Sequence, residues 1–197
     1  MTRGRAWNEA NLSENPAVEQ LRRMGYQYVP GESLDGERES LKDVVLTKRL
    51  ATALQRLNPW LSDDNVPKAI RAVTHVAATS LIEASEKLYT ILTYGIALEQ
   101  DLGGGKKGQM VRFFDFEKPT NNDFLVTRQL KVKGARKHIK PDVVLFVNGI
   151  PLVVIECKSP TLGEGWKAEA IDQFSRYQEI EPRYRDLGYP HAQILCA

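Results

Sequence analysis

Two short apolar runs, residues 143–147 and 152–155, constrain this chain more than any other feature, because Asn148-Gly149 lies between them. Asn-Gly between hydrophobic runs is among the strongest short-range hairpin signals, since both residues accept the positive φ of a tight turn. Both runs are apolar on consecutive positions, which predicts strands covered on both faces, as in the centre of a sheet with helices packed on it. Charges sit at their ends: Asp142, after Pro141, opens the first, and Glu156 and Lys158 close the second. Charges at the mouths of apolar strands are costly unless something pairs them.

Strand alternation puts Glu156 and Lys158 on one face and Cys157 on the other. Two carboxylates converging from adjacent strands suit a hard divalent cation such as Mg²⁺. A lysine beside them can orient or deprotonate an attacking water, or stabilise charge on a phosphate. A strict two-residue turn, however, pairs Val147 with Ile150 and Asp142 with Ile155, sending Asp142 and Glu156 to opposite faces. Convergence needs a one-residue offset, from a three-residue loop with left-handed Gly149 or from a bulge near either carboxylate. Any one of these charges alone reads as a solvated strand end; the three together read as a site for metal-assisted phosphodiester hydrolysis.

The 197 residues suffice for one domain of ordinary size, or one with a large insertion. A first helix is predicted over 12–24, with Ser13 as cap, Pro16 in its first turn and Val18, Leu21 and Met24 on one face; Gly25 ends it. A short strand follows at 26–29 and a polar loop at 32–40. Residues 41–94 are helical in pattern, in three segments carrying Val44, Val45, Leu50, Leu54 and Leu57, then Ile70, Val73 and Ala77, then Leu81, Leu88 and Leu92. Beyond a glycine turn at 103–105, strands are expected at 109–116 and 124–132 around a turn-rich linker at 118–123. A helix over 165–181 and a strand over 192–196 complete an α/β or α+β order. The terminal residues read as an apolar strand that simply stops, which suggests a piece of a longer chain.

Composition narrows the class. Hydrophobic residues at 42% and charged residues at 26% describe a globular chain and exclude long disorder. Cys157 and Cys196 are too few for a disulfide framework, so a reducing cytoplasm is the expected compartment. Nothing near Met1 resembles a signal peptide, and no apolar run approaches the ~18–20 residues of a membrane span. Lys+Arg at 27 against Asp+Glu at 25 gives no whole-chain hint of nucleic acid. Locally the balance differs: Arg128, Lys131, Lys133, Arg136, Lys137 and Lys140, with His138, run acid-free into Asp142. Such a run can neutralise DNA phosphates without reading sequence; Lys106-Lys107 is a fainter candidate. Gln173 and Tyr177, four apart, share one helix face, which by itself reads as an amphipathic helix whose Tyr packs and whose Gln is exposed. The 103–105 glycines lack a following Gly-Lys-Ser/Thr, so no ATP site is expected. His75, His138 and His191 lack ligand spacing, so no zinc site is expected. Trp7, Trp60 and Trp166 read as packing residues.

Pro141-Asp142, the hairpin and Glu156-Cys157-Lys158 resemble the PD-(D/E)xK nuclease signature. The string KPDVVLFVNGIPLVVIECKSP resembles, more narrowly, the nuclease domain of the R (restriction) subunit of type I restriction-modification enzymes. Gln173 and Tyr177 match the Gln-x-x-x-Tyr motif on the helix after the catalytic hairpin in that family. The likeness also covers NEANLSENPAVEQLRRMGYQYVPG and LYTILTYGIALE through NNDFLVTRQL, and is weakest over 32–80. It implies an α/β, restriction-endonuclease-like core over 1–197, a central mixed sheet flanked by helices, with a helical insertion at about 38–94 and a catalytic hairpin at 141–158. It implies Mg²⁺ on Asp142 and Glu156, Lys158 assisting, and Gln173 and Tyr177 in support. Enzymes of this class often add an acidic residue from the first helix; Glu14, eleven residues before Gly25, is the first choice and Glu19 the second. The expected substrate is double-stranded DNA, and the expected partners are methylation and specificity subunits, with ATP used by a translocase part outside this chain. The alternatives are another PD-(D/E)xK repair or recombination nuclease, or a non-catalytic DNA-binding or docking module.

Overall fold

The computed structural model describes residues 10–134, 137–158 and 165–178. Its elements run α1 (Asn15–Arg23), β1 (Gln27–Tyr28), α2 (Thr47–Leu57), α3 (Val66–Thr74), α4 (Leu81–Tyr94), β2 (Ile96–Asp101), β3 (Lys106–Val111), β4 (Phe124–Arg128), β5 (Val132–Lys133), β6 (His138–Ile139), β7 (Val143–Val147), β8 (Ile150–Ile155) and α5 (Trp166–Gln178). Two compact units divide the chain: Met1–Val44, Phe124–Phe146 and Pro151–Ala197 form one, and Val45–Asp123 with Val147–Ile150 the other. The predicted Trp7, His191, Cys196, Arg136 and the 192–196 strand lie outside the described residues.

In the first unit the sheet order among the described residues is β1-β4-β7-β8, the mixed sheet expected from sequence. β1 runs parallel to β4, with Gln27 opposite Leu125 and Tyr28 opposite Val126. Its core gathers Val18, Val126, Val143, Leu145 and Cys157, with Leu21, Tyr26 and Ile155 packed against them. Val18 and Leu21 are one helical turn apart, so α1 turns a single stripe toward the sheet. Each such side chain contributes about 1.5–3 kcal/mol on burial. α1 starts later than the 12–24 reading, because Ala10–Glu14 forms a π-helical turn. Ser13 therefore does not cap it; its hydroxyl donates to the Lys158 carbonyl at 3.0 Å. Pro16 sits in the first turn and Gly25, at φ +101°, follows the last, as expected. A 3₁₀ helix, Gly31–Glu37, occupies part of the predicted loop.

The single strand predicted over 124–132 is broken. β4 stops at Arg128, Gln129 takes φ +53°, and Val132–Lys133 pairs instead with His138–Ile139 as a small antiparallel hairpin. β8 also departs from expectation. It ends the sheet order and is only partly covered, with Val153 37% exposed, whereas Val143 to Phe146 of β7 are buried. Among the described residues β8 has a strand neighbour on one side only, and Pro151 has no N–H to donate.

The second unit holds the helical stretch. Leu50, Ala53 and Leu54 of α2, Val66, Ala69 and Val73 of α3, and Ala84, Leu88 and Leu92 of α4 are buried at helical spacing. β2 and β3 form an antiparallel ribbon; 96–101 was not anticipated as a strand, and the strand expected at 109–116 lies at 106–111. Asp101 Oδ1 accepts from the amides of Gly103, Gly104 and Gly105 at 2.8, 3.1 and 3.1 Å, so the chain's own carboxylate occupies that glycine nest. Trp60 is half-buried. Trp166 is 44% exposed, with the Lys167 ammonium 5.5 Å from its ring centroid, and is not the packing residue expected.

At the hairpin tip, Asn148 at φ +52° and Gly149 at φ +82° make a two-residue turn of the I′ kind. The Asn148 side chain is fully buried and fully used. Its Oδ1 accepts from Arg56 Nη2 (3.1 Å) and Asp123 N (2.8 Å), and its Nδ2 donates to Phe113 O (2.8 Å) and Asn122 Oδ1 (2.9 Å). A Cβ on Gly149 would sit 2.6 Å from Leu46 O and 2.9 Å from Leu50 N. Gly149→Ala is thus expected to destabilise the protein by about 2–4 kcal/mol in urea unfolding, against about 0.5 kcal/mol or less for Gly104→Ala, where a Cβ meets nothing.

α4 begins with a capping arrangement: Ser80 Oγ accepts from Glu83 N at 3.2 Å, and Glu83 Oε2 accepts from Thr79 N at 2.7 Å. The hydrogen bond from Lys87, then those from Thr79, hold the Glu83 carboxyl down to about 2 from its ordinary 4.5. A depressed carboxyl stabilises the fold above its ordinary value and loses that contribution as pH falls through the folded value. The stability difference between wild type and Glu83→Gln should therefore be constant above pH 4.5 and shrink toward zero near pH 2, read by circular dichroism across an acid titration. Asp115 is lowered likewise, chiefly by the Lys118 amide and then by the Asn121 side chain.

Candidate active site

The site is built where β7 begins and β8 ends. Because the turn is two residues, the three-residue-loop route to a converging register is overturned. The faces nevertheless show an offset. A plain register would put Val143 and Leu145 on the side of Val154 and Leu152; instead they share a cluster with Ile155 and Cys157. Glu156 and Lys158 are joined through Gln173, and the Asp142 side chain reaches their segment at the Cys157 amide.

Contacts hold the segment together. Asp142 Oδ2 accepts from the backbone N–H of Cys157 at 2.8 Å, which sets the aspartate against the residue between Glu156 and Lys158. Its Oδ1 accepts from Gln129 Nε2 at 3.1 Å, while Gln129 N donates to Asp142 O at 3.2 Å. Gln173, on α5, bridges the other two charges: Lys158 Nζ donates to Gln173 Oε1 at 2.5 Å, and Gln173 Nε2 donates to Glu156 Oε2 at 2.7 Å. A primary amide suits this place because it presents an acceptor to the ammonium and a donor to the carboxylate at once. Tyr177 lies one turn further along α5, and its side chain is outside the described residues.

Glu14 is buried, and its Oε2 accepts from Arg128 Nε at 2.9 Å and from Arg128 Nη2; Arg128 Nη1 donates to Asn15 Oδ1 at 2.5 Å. The carboxylate proposed as a further metal ligand is thus engaged by the first cation of the basic run. Glu19 is half-exposed and lies near Arg22 and Arg23. Lys131, Lys133, Lys137 and Lys140 belong to the β5–β6 excursion, which the Gln129–Asp142 bonds close at its base. Val132 and Ile139 are its buried pair, while Lys133, Lys137, His138 and Lys140 are exposed and Lys131 is half-buried. Lys106 and Lys107, exposed on β3, belong to the other unit.

Among the described residues no three His, Cys, Asp or Glu gather to hold a metal. The donor set at the hairpin is two carboxylates, all hard oxygen, which fits an ion that keeps several waters rather than one needing a closed protein cage. Asp142 accepts one hydrogen bond on each oxygen, and a carboxylate offers about four lone-pair sites, so it retains capacity to ligate. Sequence reasoning missed Ser13, Asn15 and Gln129; their partners lie far along the chain or depend on a left-handed residue, and local pattern carries no sign of either.

A mixed sheet with an aspartate at one strand's mouth and Glu-x-Lys at its neighbour's end is the restriction-endonuclease-like class of fold. Residues 6–196 match the family described as the type I restriction enzyme R protein N terminus, and the chain belongs to that family. It is 33% identical over 194 residues, 95% of its length, to a putative type I restriction enzyme MjaIXP endonuclease subunit of Methanocaldococcus jannaschii. It is 32% identical over 179 residues, 87% of its length, to the type I restriction enzyme HindI endonuclease subunit of Haemophilus influenzae. The chain spans 18% and 17% of those relatives' own lengths. No helix among the described residues is long and apolar enough to cross a membrane.

The Glu14–Arg128 pair is open to a double-mutant cycle. Arg128→Ala leaves a buried carboxylate unpaired and should cost about 2–3 kcal/mol in denaturant unfolding, with a coupling energy to Glu14→Ala of about 1 kcal/mol or more.

Proposed function

We propose that this chain is the nuclease part of a type I restriction enzyme R subunit, cutting double-stranded DNA by Mg²⁺-dependent phosphodiester hydrolysis. The observation that carries the proposal is the chain of contacts Lys158–Gln173–Glu156 beside an Asp142 bonded to the Cys157 amide. Asp142 and Glu156 would hold the ion. Bound Mg²⁺ supplies Lewis-acid polarisation of the phosphate and a more acidic water. Lys158 orients the attacking water and offsets charge developing on the phosphate. Gln173 fixes the lysine head and the glutamate together, so neither must reorganise when substrate arrives, and Tyr177 supports the site from the same helix. The Cys157 amide and Gln129 orient Asp142. Arg128, Lys131, Lys133, Arg136, Lys137 and Lys140 neutralise backbone phosphates beside the scissile bond. Glu14, in the turn before α1, anchors Arg128 and is the further acidic group that could join the ion.

For the complete subunit, we assign ATP-driven translocation to the length its relatives have beyond this chain, with methylation and specificity subunits as partners in the bacterial or archaeal cytoplasm. In that assembly, Asp142→Ala, Glu156→Ala and Lys158→Ala should each lower DNA cleavage at least about a hundred-fold with ATP hydrolysis retained. Chelation should stop cleavage and added Mg²⁺ restore it. Undiminished cleavage by Lys158→Ala would sink the assignment and favour a docking role.

A further inference from the structure

An open groove in the first unit is lined by Asn15, Glu19, Arg22, Arg23, Tyr28 and Arg128. It lies along α1, whose start is tied to the site: Ser13 bonds the Lys158 carbonyl, and Asn15 and Arg128 meet beside Glu14. Two guanidinium groups, of Arg22 and Arg23, share one carboxylate, Glu19, in this lining, while Arg128 is held by Glu14 and Asn15. The Glu19 oxygens stand 3.6 Å from Arg22 and 3.5 Å from Arg23, with both arginines more than half exposed, so these ion pairs are weak and exchangeable. Tyr28, 37% exposed, adds a phenol that can donate to a phosphate oxygen.

We propose that this groove carries the phosphate backbone of duplex DNA away from the scissile bond, with Arg22, Arg23 and Tyr28 as contacts outside the basic run. The proposal rests on DNA being the substrate of the hairpin site. From Glu14 to Arg23 the helix rises about 13 Å, the axial length of about four nucleotides of one strand. Arg22 and Arg23 thereby extend the cationic track that starts at Arg128 along α1. Glu19 is a competitor for those arginines, so its charge opposes binding.

The test is fluorescence anisotropy of a labelled duplex oligonucleotide with this chain, in EDTA, from 50 to 200 mM salt. In the Arg22→Ala/Arg23→Ala variant, the slope of log affinity against log salt should be shallower by about 1.8, two phosphates' worth. Arg22→Lys/Arg23→Lys should restore most of the slope, and Glu19→Gln should bind more tightly than wild type. Equal slopes for wild type and the alanine pair, or weaker binding by Glu19→Gln with an unchanged melting temperature, would overturn the proposal, as would a wild-type chain that binds no duplex. Cleavage is read separately. A Lys158→Ala assembly that still cuts removes the hairpin assignment, while the salt slopes still decide the groove.

Discussion

The hairpin that leads on to Glu156 and Lys158 depends on how the Asn148-Gly149 turn is held. Two consecutive residues with positive φ set Val147 against Ile150, and the Asn148 amide is satisfied on both ends by Arg56, Asp123, Phe113 and Asn122. A buried amide with every bond made has one orientation, so the turn cannot slide to a neighbouring register without leaving polar groups unpaired. With the turn fixed, the Asp142 side chain meets the Glu156–Lys158 segment at the Cys157 amide, while Ile155 and Cys157 join Val143 and Leu145 in the core. Pro151 and the incomplete cover of β8 belong to the same stretch, which ends the sheet order among the described residues.

Charge at the end of an apolar strand is a liability that this fold answers with directional neutral groups. The Cys157 amide and the Gln129 side chain each give Asp142 one donor. Gln173 serves ammonium and carboxylate from opposite ends of one side chain. These partners satisfy the charges without neutralising them, and so leave the site electrostatically active. Glu14 and Arg128 follow the other strategy, a pairing of opposite charges in which each stabilises the other.

The hairpin, its charged ends and the helical stretch are legible in the sequence because period and turn chemistry are local. Leu50, Leu54, Val73, Leu88 and Leu92 fall buried where helical spacing puts them. The β2–β3 ribbon is not legible: Ile96, Leu98 and Gln100 alternate half-buried with exposed neighbours, so its pattern carries no strong apolar face. Ser13 reads as a cap by residue type, yet its hydroxyl is claimed by Lys158, a partner no local rule could name. The break after Arg128 is invisible for a similar reason, since Gln129 adopts its left-handed conformation while bonded to Asp142. The bridging glutamine is picked out by its resemblance motif; its role comes from being one amide between two charges.

The parallel pairing of β1 with β4 also orders the events of biosynthesis. About a hundred residues of chain separate Gln27 from its partner Leu125, so this sheet edge waits for a distant segment to emerge and pays a large loop-closure entropy. The helices between them, by contrast, need only near neighbours and can form while the ribosome is still translating. Residues 147–150 come last and complete the second unit, and the same four residues turn β7 into β8. One late, short stretch of nascent chain thus finishes the helical unit and reverses the strand that leads to Glu156 and Lys158, so the segment carrying those two charges takes its place at the end of folding rather than at its beginning.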